Sequence, residues 1–225
     1  MARRNPGPVP NRWLKCPRKA ENFIDSKLLA FKTPLGSEFN DKVPEYCRFT
    51  PSMLFHFIKK MGLWIDLTNT DRFYNKAEIR NMGCEYVKLK CRGHGETPSE
   101  QEFINIVRNF ISHNPLKVIG VHCTHGFNRT GFLLVSYMVN VLDCSVNAAI
   151  QEFAKVRYVC FKLPHAVVTQ ITKDYCNHRL ANVLCHTSTL VAGQLCITIR
   201  SRLSHVHLAI ARIYIYICVL LIHYS

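Results

Sequence analysis

Hydrophobic spacing divides the first 157 residues into alternating strand-like and helix-like stretches. Leu28 to Lys32 reads as a short strand closed by Thr33-Pro34. Thr50-Pro51 opens a helix, with Thr as cap and Pro at the first helical position. Met53, Leu54, Phe57, Ile58 and Met61 recur at helical spacing, and Gly62 is read as its stop. The unbroken apolar run Leu63 to Leu67 predicts a buried parallel strand, which would deliver Asp66 and Thr68-Asn69-Thr70 to its C-terminal end. Asn75 to Met82 follows as a short helix with Glu78 at the capping-box position and Gly83 after it. Cys84 to Lys90 alternates as another strand. Ser99-Glu100-Gln101-Glu102 is a capping box opening a helix to about His113, and Ser145 caps a further helix to about Val156. The order predicts an α/β fold with a central, mostly parallel sheet flanked by helices.

The chain is organised around Val118-Ile119-Gly120-Val121-His122-Cys123-Thr124-His125-Gly126-Phe127-Asn128-Arg129-Thr130-Gly131. An apolar strand runs into a cysteine, five residues follow, and Arg-Thr-Gly opens an apolar helix from near Thr130. Backbone N–H groups of Thr124, His125, Gly126, Phe127, Asn128 and Arg129, together with the positive end of that helix, make an anion site. At its base the same field lowers the thiol pKa of Cys123 and favours the nucleophilic thiolate. Arg129 can grip two phosphate oxygens bidentately, and the Thr130 hydroxyl is placed to donate to the sulfur as it leaves. Gly126 permits a tight turn. A buried structural cysteine is the alternative reading, but it leaves the Gly, Arg and Thr at these spacings without a purpose.

These residues resemble the cysteine-dependent phosphatase superfamily, within which His122 to Gly131 is similar to the loop of the RNA 5′-triphosphatase domain of metazoan capping enzymes. Pro10-Asn11-Arg12-Trp13-Leu14, Phe31-Lys32-Thr33-Pro34-Leu35, Ile65 to Thr70 with Arg72-Phe73-Tyr74, and Gly93-His94-Gly95-Glu96 agree with that family, over roughly residues 8 to 157. The resemblance implies a protein-tyrosine-phosphatase-like fold of dual-specificity type and a nuclear role in mRNA 5′ capping. It also implies 5′-triphosphate RNA as substrate, no metal or other cofactor, and association with a guanylyltransferase and the RNA polymerase II machinery. The nucleotidyl-lysine motif K-x-D-G of a guanylyltransferase is absent from the sequence. A capping role therefore implies another polypeptide or a longer product.

Protein phosphatases of the superfamily carry an Asp general acid in the loop some thirty residues before the cysteine. Here that loop reads Arg92-Gly93-His94-Gly95-Glu96, with His94 or Glu96 as substitutes. A diphosphate leaving group, with a terminal ionisation near about 6 on the phosphomonoester scale, departs without the proton an alkoxide needs. The missing Asp thus favours a triphosphatase over a dual-specificity protein phosphatase; an RNA phosphatase that also takes diphosphate ends is a further alternative, and an inert RNA-binding module ranks below these because every loop residue is intact. Asp66 fits three roles: orienting the loop, moving protons, or capping the next turn. Lys88, Lys90 and Arg92 fit either contacts to the outer phosphates or a solvated strand face.

Composition adds a bias and a boundary. The 225-residue chain carries a formal charge of +14, which suits a polyanionic partner. Its eleven cysteines form no C-x-x-C pair, which fits a reducing compartment better than a disulfide scaffold. Residues 1–11 are basic and rich in Pro and Gly, read as a flexible leader, and 12–174 as the phosphatase domain. From residue 175 to 225 there is no Asp, Glu, Lys or Pro. This apolar tail is read as lying outside the domain, poorly packed and prone to aggregate. It is short for a membrane span.

Overall fold

The computed structural model describes residues 6–92 and 96–157. All described residues belong to one compact unit. His94 and the apolar tail lie outside the described residues.

Four parallel strands form one sheet in the order β1-β4-β2-β3: β1 (Leu28–Lys32), β2 (Met61–Asp66), β3 (Glu85–Lys88) and β4 (Val118–Cys123). Every residue of β1, β2 and β4 is buried, so the interior strands β4 and β2 and the edge strand β1 all do without a polar side. The edge strand β3 is partly exposed. The helices are α1 (Pro51–Phe57), α2 (Lys76–Asn81), α3 (Glu100–His113), α4 (Asn128–Asn140) and α5 (Val146–Arg157). In α4 ten consecutive residues, Thr130 to Val139, are buried, which makes it the central helix.

The predicted caps are present: Thr50 Oγ1 accepts from Met53 N–H, Ser99 Oγ from Glu102 N–H and Ser145 Oγ from Ala148 N–H. Other boundaries move. Helix α1 ends at Phe57 instead of Met61, and Gly62 lies inside β2 instead of stopping a helix. A Cβ there would come within 2.8 Å of both Lys117 Cβ and Phe110 Cζ, so the glycine serves close packing under α3. Strand β3 is shorter than Cys84 to Lys90, and α4 begins inside the loop, at Asn128.

The leader also differs from expectation. Residues 6–11 are held against the domain: Arg72 Nη1 donates to Pro6 O and Pro8 O at 2.7 and 2.8 Å, and Lys42 Nζ to Gly7 O at 2.9 Å. His125 Nε2 donates to Asn11 O at 2.6 Å. Just beyond this segment, the fully buried Trp13 donates from Nε1 to Thr33 O and anchors the chain to the end of β1.

Candidate active site

Parallel pairing aligns side chains in rows across the sheet, and two rows at its C-terminal edge build the site. In the first, Phe31, His122, Asp66 and Lys88 stand side by side on four neighbouring strands. In the second, Lys32 of β1 pairs with Cys123, the last residue of β4.

After Cys123 the chain turns through Thr124 to Phe127 and enters α4 at Asn128, so the helix N-terminus rises directly from the loop. Gly126 has φ +72°, and a Cβ on it would lie 2.3 Å from the Phe31 carbonyl oxygen. Glycine is required there twice over, by conformation and by contact. Thr33 N–H donates to Thr124 O, tying the loop to the end of β1.

Cys123 is buried at the base of this loop. Burial alone pushes its thiol pKa up. The Arg129 guanidinium, the Thr130 hydroxyl and amide, and the His125 amide outweigh that and bring it below the ordinary value. The Thr130 hydroxyl is buried, with no hydrogen-bond partner among the described residues other than the Cys123 sulfur that it favours as thiolate. Arg129 Nη1 donates to Leu67 O at 2.9 Å and to Cys91 O at 2.6 Å, and Nη2 donates to Thr124 Oγ1 at 3.0 Å. The carbonyls that follow β2 and β3 thus hold the guanidinium beside the loop. Its Nε–H and second Nη2–H, the parallel pair that fits two phosphate oxygens, make no hydrogen bond with any described residue.

Asp66 has a different place from the proton-moving role considered for it. Its Oδ1 accepts from Thr68 N–H at 2.8 Å and Thr68 Oγ1–H at 2.7 Å; Oδ2 accepts from Tyr74 and Tyr86 hydroxyls and from Lys88 Nζ, all at 2.8 to 2.9 Å. Burial raises its pKa, but neighbouring His122 when charged, Lys88 and the hydrogen bonds prevail and depress it to about 2. The carboxylate is ionised and its acceptor sites are filled, so it is a brace and not a general acid. The turn-capping reading is present within that brace. Tyr74 extends it: its hydroxyl accepts from Trp64 Nε1 at 3.0 Å and lies 2.7 Å from His122 Nε2. Its single proton goes to the ionised Asp66, so His122 Nε2 carries a hydrogen and donates. Burial lowers the His122 pKa, partly offset by Asp66 and the Cys123 carbonyl, and the ring lies beside Phe31 with centroids 4.9 Å apart. Asp66 thereby fixes the residue that precedes Cys123.

Lys88 takes neither of the two places left open for it, a phosphate contact or a solvated strand face. It donates to Asp66 Oδ2, Thr68 Oγ1 and Thr70 O at 2.7 to 2.9 Å, which uses all three hydrogens. Lys90 and Arg92 are exposed at the same edge of the sheet. Glu96, one proposed substitute acid, accepts from Arg92 N–H through Oε2 at 3.0 Å. Tyr74, Tyr86, Lys32 and Arg157 were not singled out as site residues from sequence. The i, i+2 pairing of Tyr86 with Lys88 on one strand face was the available signal for Tyr86; Tyr74 and Lys32 stand in stretches that agree with the family, and Arg157 gave no signal. Among the described residues no group of three or more His, Cys, Asp or Glu side chains is placed to hold a metal ion.

Residues 50–172 match the dual specificity phosphatase catalytic domain. The chain belongs to this family of cysteine-based phosphatases. It is 50% identical over 156 residues to the mRNA-capping enzyme of Danio rerio, a match covering 66% of this chain and 26% of the relative. It is 41% identical over 160 residues to the RNA/RNP complex-1-interacting phosphatase homolog of Caenorhabditis elegans, covering 66% of this chain and 69% of that protein. The chain thus spans about a quarter of the capping enzyme's length. Among solved structures it resembles Tk-PTP in its active form, with a TM-score of 0.54 and 17% identity over 71% of this chain and 96% of that one. That likeness concerns the fold. The predicted phosphatase-like α/β architecture is the one observed.

Proposed function

We propose that this domain is an RNA 5′-triphosphatase acting through a cysteinyl-phosphate. The Cys123 thiolate attacks the γ-phosphorus of 5′-triphosphate RNA in line. A bond from sulfur to phosphorus forms as the bond from that phosphorus to the β–γ bridging oxygen breaks, and RNA 5′-diphosphate departs with the electron pair. Water then attacks the phosphocysteine, releasing inorganic phosphate and restoring the thiolate, which the Thr130 hydroxyl stabilises as it leaves. The free edge of Arg129 and the loop amides from Thr124 to Arg129 hold the three equatorial oxygens.

The observation that carries this reading is the state of the two carboxylates beside the loop. Asp66 is ionised and saturated, and Glu96 is turned to a backbone amide. Asp66 is not poised to give a proton, which suits a leaving group that departs unprotonated, as a diphosphate does and an alkoxide does not. The relatedness to capping enzymes points the same way. By extension we place the substrate among nascent transcripts in the nucleus, with a guanylyltransferase and the RNA polymerase II machinery as partners. A protein-phosphatase activity is the second reading, favoured by 35% identity to a "Tyrosine-protein phosphatase" of Autographa californica nuclear polyhedrosis virus, of which the match covers 90%.

Phosphate release from γ-labelled triphosphate RNA and from a phosphotyrosine peptide, both in chelator, distinguishes the two. The RNA is expected to turn over faster, and Cys123→Ser to abolish both activities. Faster turnover of the peptide would overturn the proposal.

A further inference from the structure

Against the loop residues His125 and Phe127 lies a second guanidinium that the chemistry above does not use. Arg157, the last residue of α5, is 1% exposed. Its Nη2 donates to the His125 carbonyl of the loop at 3.1 Å and to Pro17 O at 3.4 Å, and its plane lies over the Phe127 ring, 4.4 Å from the centroid. Among the described residues no carboxylate pairs with it, and its buried Nε and Nη1 have no hydrogen-bond partner there. A buried charge so poorly compensated is costly and calls for a reason. Burial brings its pKa down to about 10, and the groups that pull it back up are the thiols of Cys123 and Cys16 when ionised.

We infer that Arg157 is a positioning residue for catalysis, serving as the fixed counter-charge of the Cys123 thiolate and as the clamp that holds the His125–Phe127 turn open toward substrate. The inference rests on Cys123 as nucleophile but not on the identity of the substrate. Arg129 and Arg157 divide the task by geometry. Arg129 presents free donors to the phosphate, so a bound substrate takes up part of its charge. Arg157 is fastened to the loop by the His125 carbonyl and the Phe127 ring, so its charge stays beside the loop throughout the cycle. The other titratable or charged groups at this corner are His122 of β4, His125 of the loop, Lys32 of β1, and Arg12 and Cys16 of the N-terminal segment. Lys32 is tied by Nζ to the Trp13 and Cys16 carbonyls, over the Trp13 ring. Burial lowers its pKa to about 8, so it is the weaker source of charge.

The test is the pH dependence of iodoacetamide labelling at Cys123, followed by peptide mass spectrometry in the full chain. Arg157→Gln, Arg157→Met and Arg157→Lys are compared with the parent, and thermal melting checks each fold. Both neutral variants are expected to raise the labelling midpoint by about one pH unit, so that labelling at pH 6 slows about tenfold. The acid limb of kcat/KM should move in parallel, with little change in KM. Arg157→Lys, which keeps charge but loses the planar fork, should lie between. A neutral variant that melts like the parent and keeps its midpoint would overturn the inference. If neither neutral variant folds, the lysine variant decides alone, a parent-like midpoint counting against the guanidinium. Failure of the substrate proposal would leave this labelling result untouched.

Discussion

Asp66 shows what a buried carboxylate contributes when every lone pair is engaged. Its pKa falls from an ordinary 3.8 to about 2 in the folded chain, and at about 1.4 kcal/mol per unit this is on the order of 2 kcal/mol of stability. Because the folded value is the lower one, that stability is complete above about pH 4 and disappears as pH falls toward 2. Replacing the residue leaves Lys88 without its buried partner, so Asp66→Asn should cost on the order of 3 kcal/mol at pH 7. Urea denaturation at pH 7 and at pH 3 checks both statements: the variant should be less stable at pH 7 and should lose less on acidification. Equal stability at pH 7 would show that the brace is dispensable. The sequence placed Asp66 at the right strand end because an unbroken apolar run followed by polar residues is a local signal. It left the role open because the answer depends on Tyr74, Tyr86 and His122, which only strand pairing brings together. Lys88 illustrates the same limit, since its partner lies on a neighbouring strand.

Among the elements, strands and capped helices were legible because their signals are short-range: Thr50, Ser99 and Ser145 each announce a helix within four residues. The error at Gly62 has a physical origin, since a glycine that ends a helix and one that admits a neighbouring side chain look alike in sequence. The N-terminal segment is the larger difference. Pro and Gly in a basic stretch read as a flexible leader, yet rigid residues of this kind also suit an extended strap whose carbonyls accept from Arg72, Lys42 and His125. Deleting residues 1–11 should therefore destabilise the domain by about 1–2 kcal/mol, lowering the melting temperature by a few degrees. An unchanged melting curve would restore the flexible-leader reading. The charge partner that α5 supplies through Arg157 was invisible in sequence, because nothing local links residue 157 to residue 125.

For the whole molecule, the formal charge of +14 bears on encounter with substrate more than on the chemical step. If about three of these cations contact the RNA backbone, kcat/KM for a ten-nucleotide triphosphate RNA should fall with salt at a log–log slope near about −2. A free nucleoside triphosphate, lacking that backbone, should show a shallower slope. Equal slopes would confine electrostatic recognition to the phosphate loop. The measurement that reaches the central claim most directly is rapid acid quenching of the enzyme with γ-labelled triphosphate RNA in chelator. The account predicts label transiently bound to the Cys123 peptide, followed by inorganic phosphate and diphosphate-ended RNA, and none of these with Cys123→Ser. Phosphate released at parental rate by Cys123→Ser would contradict it.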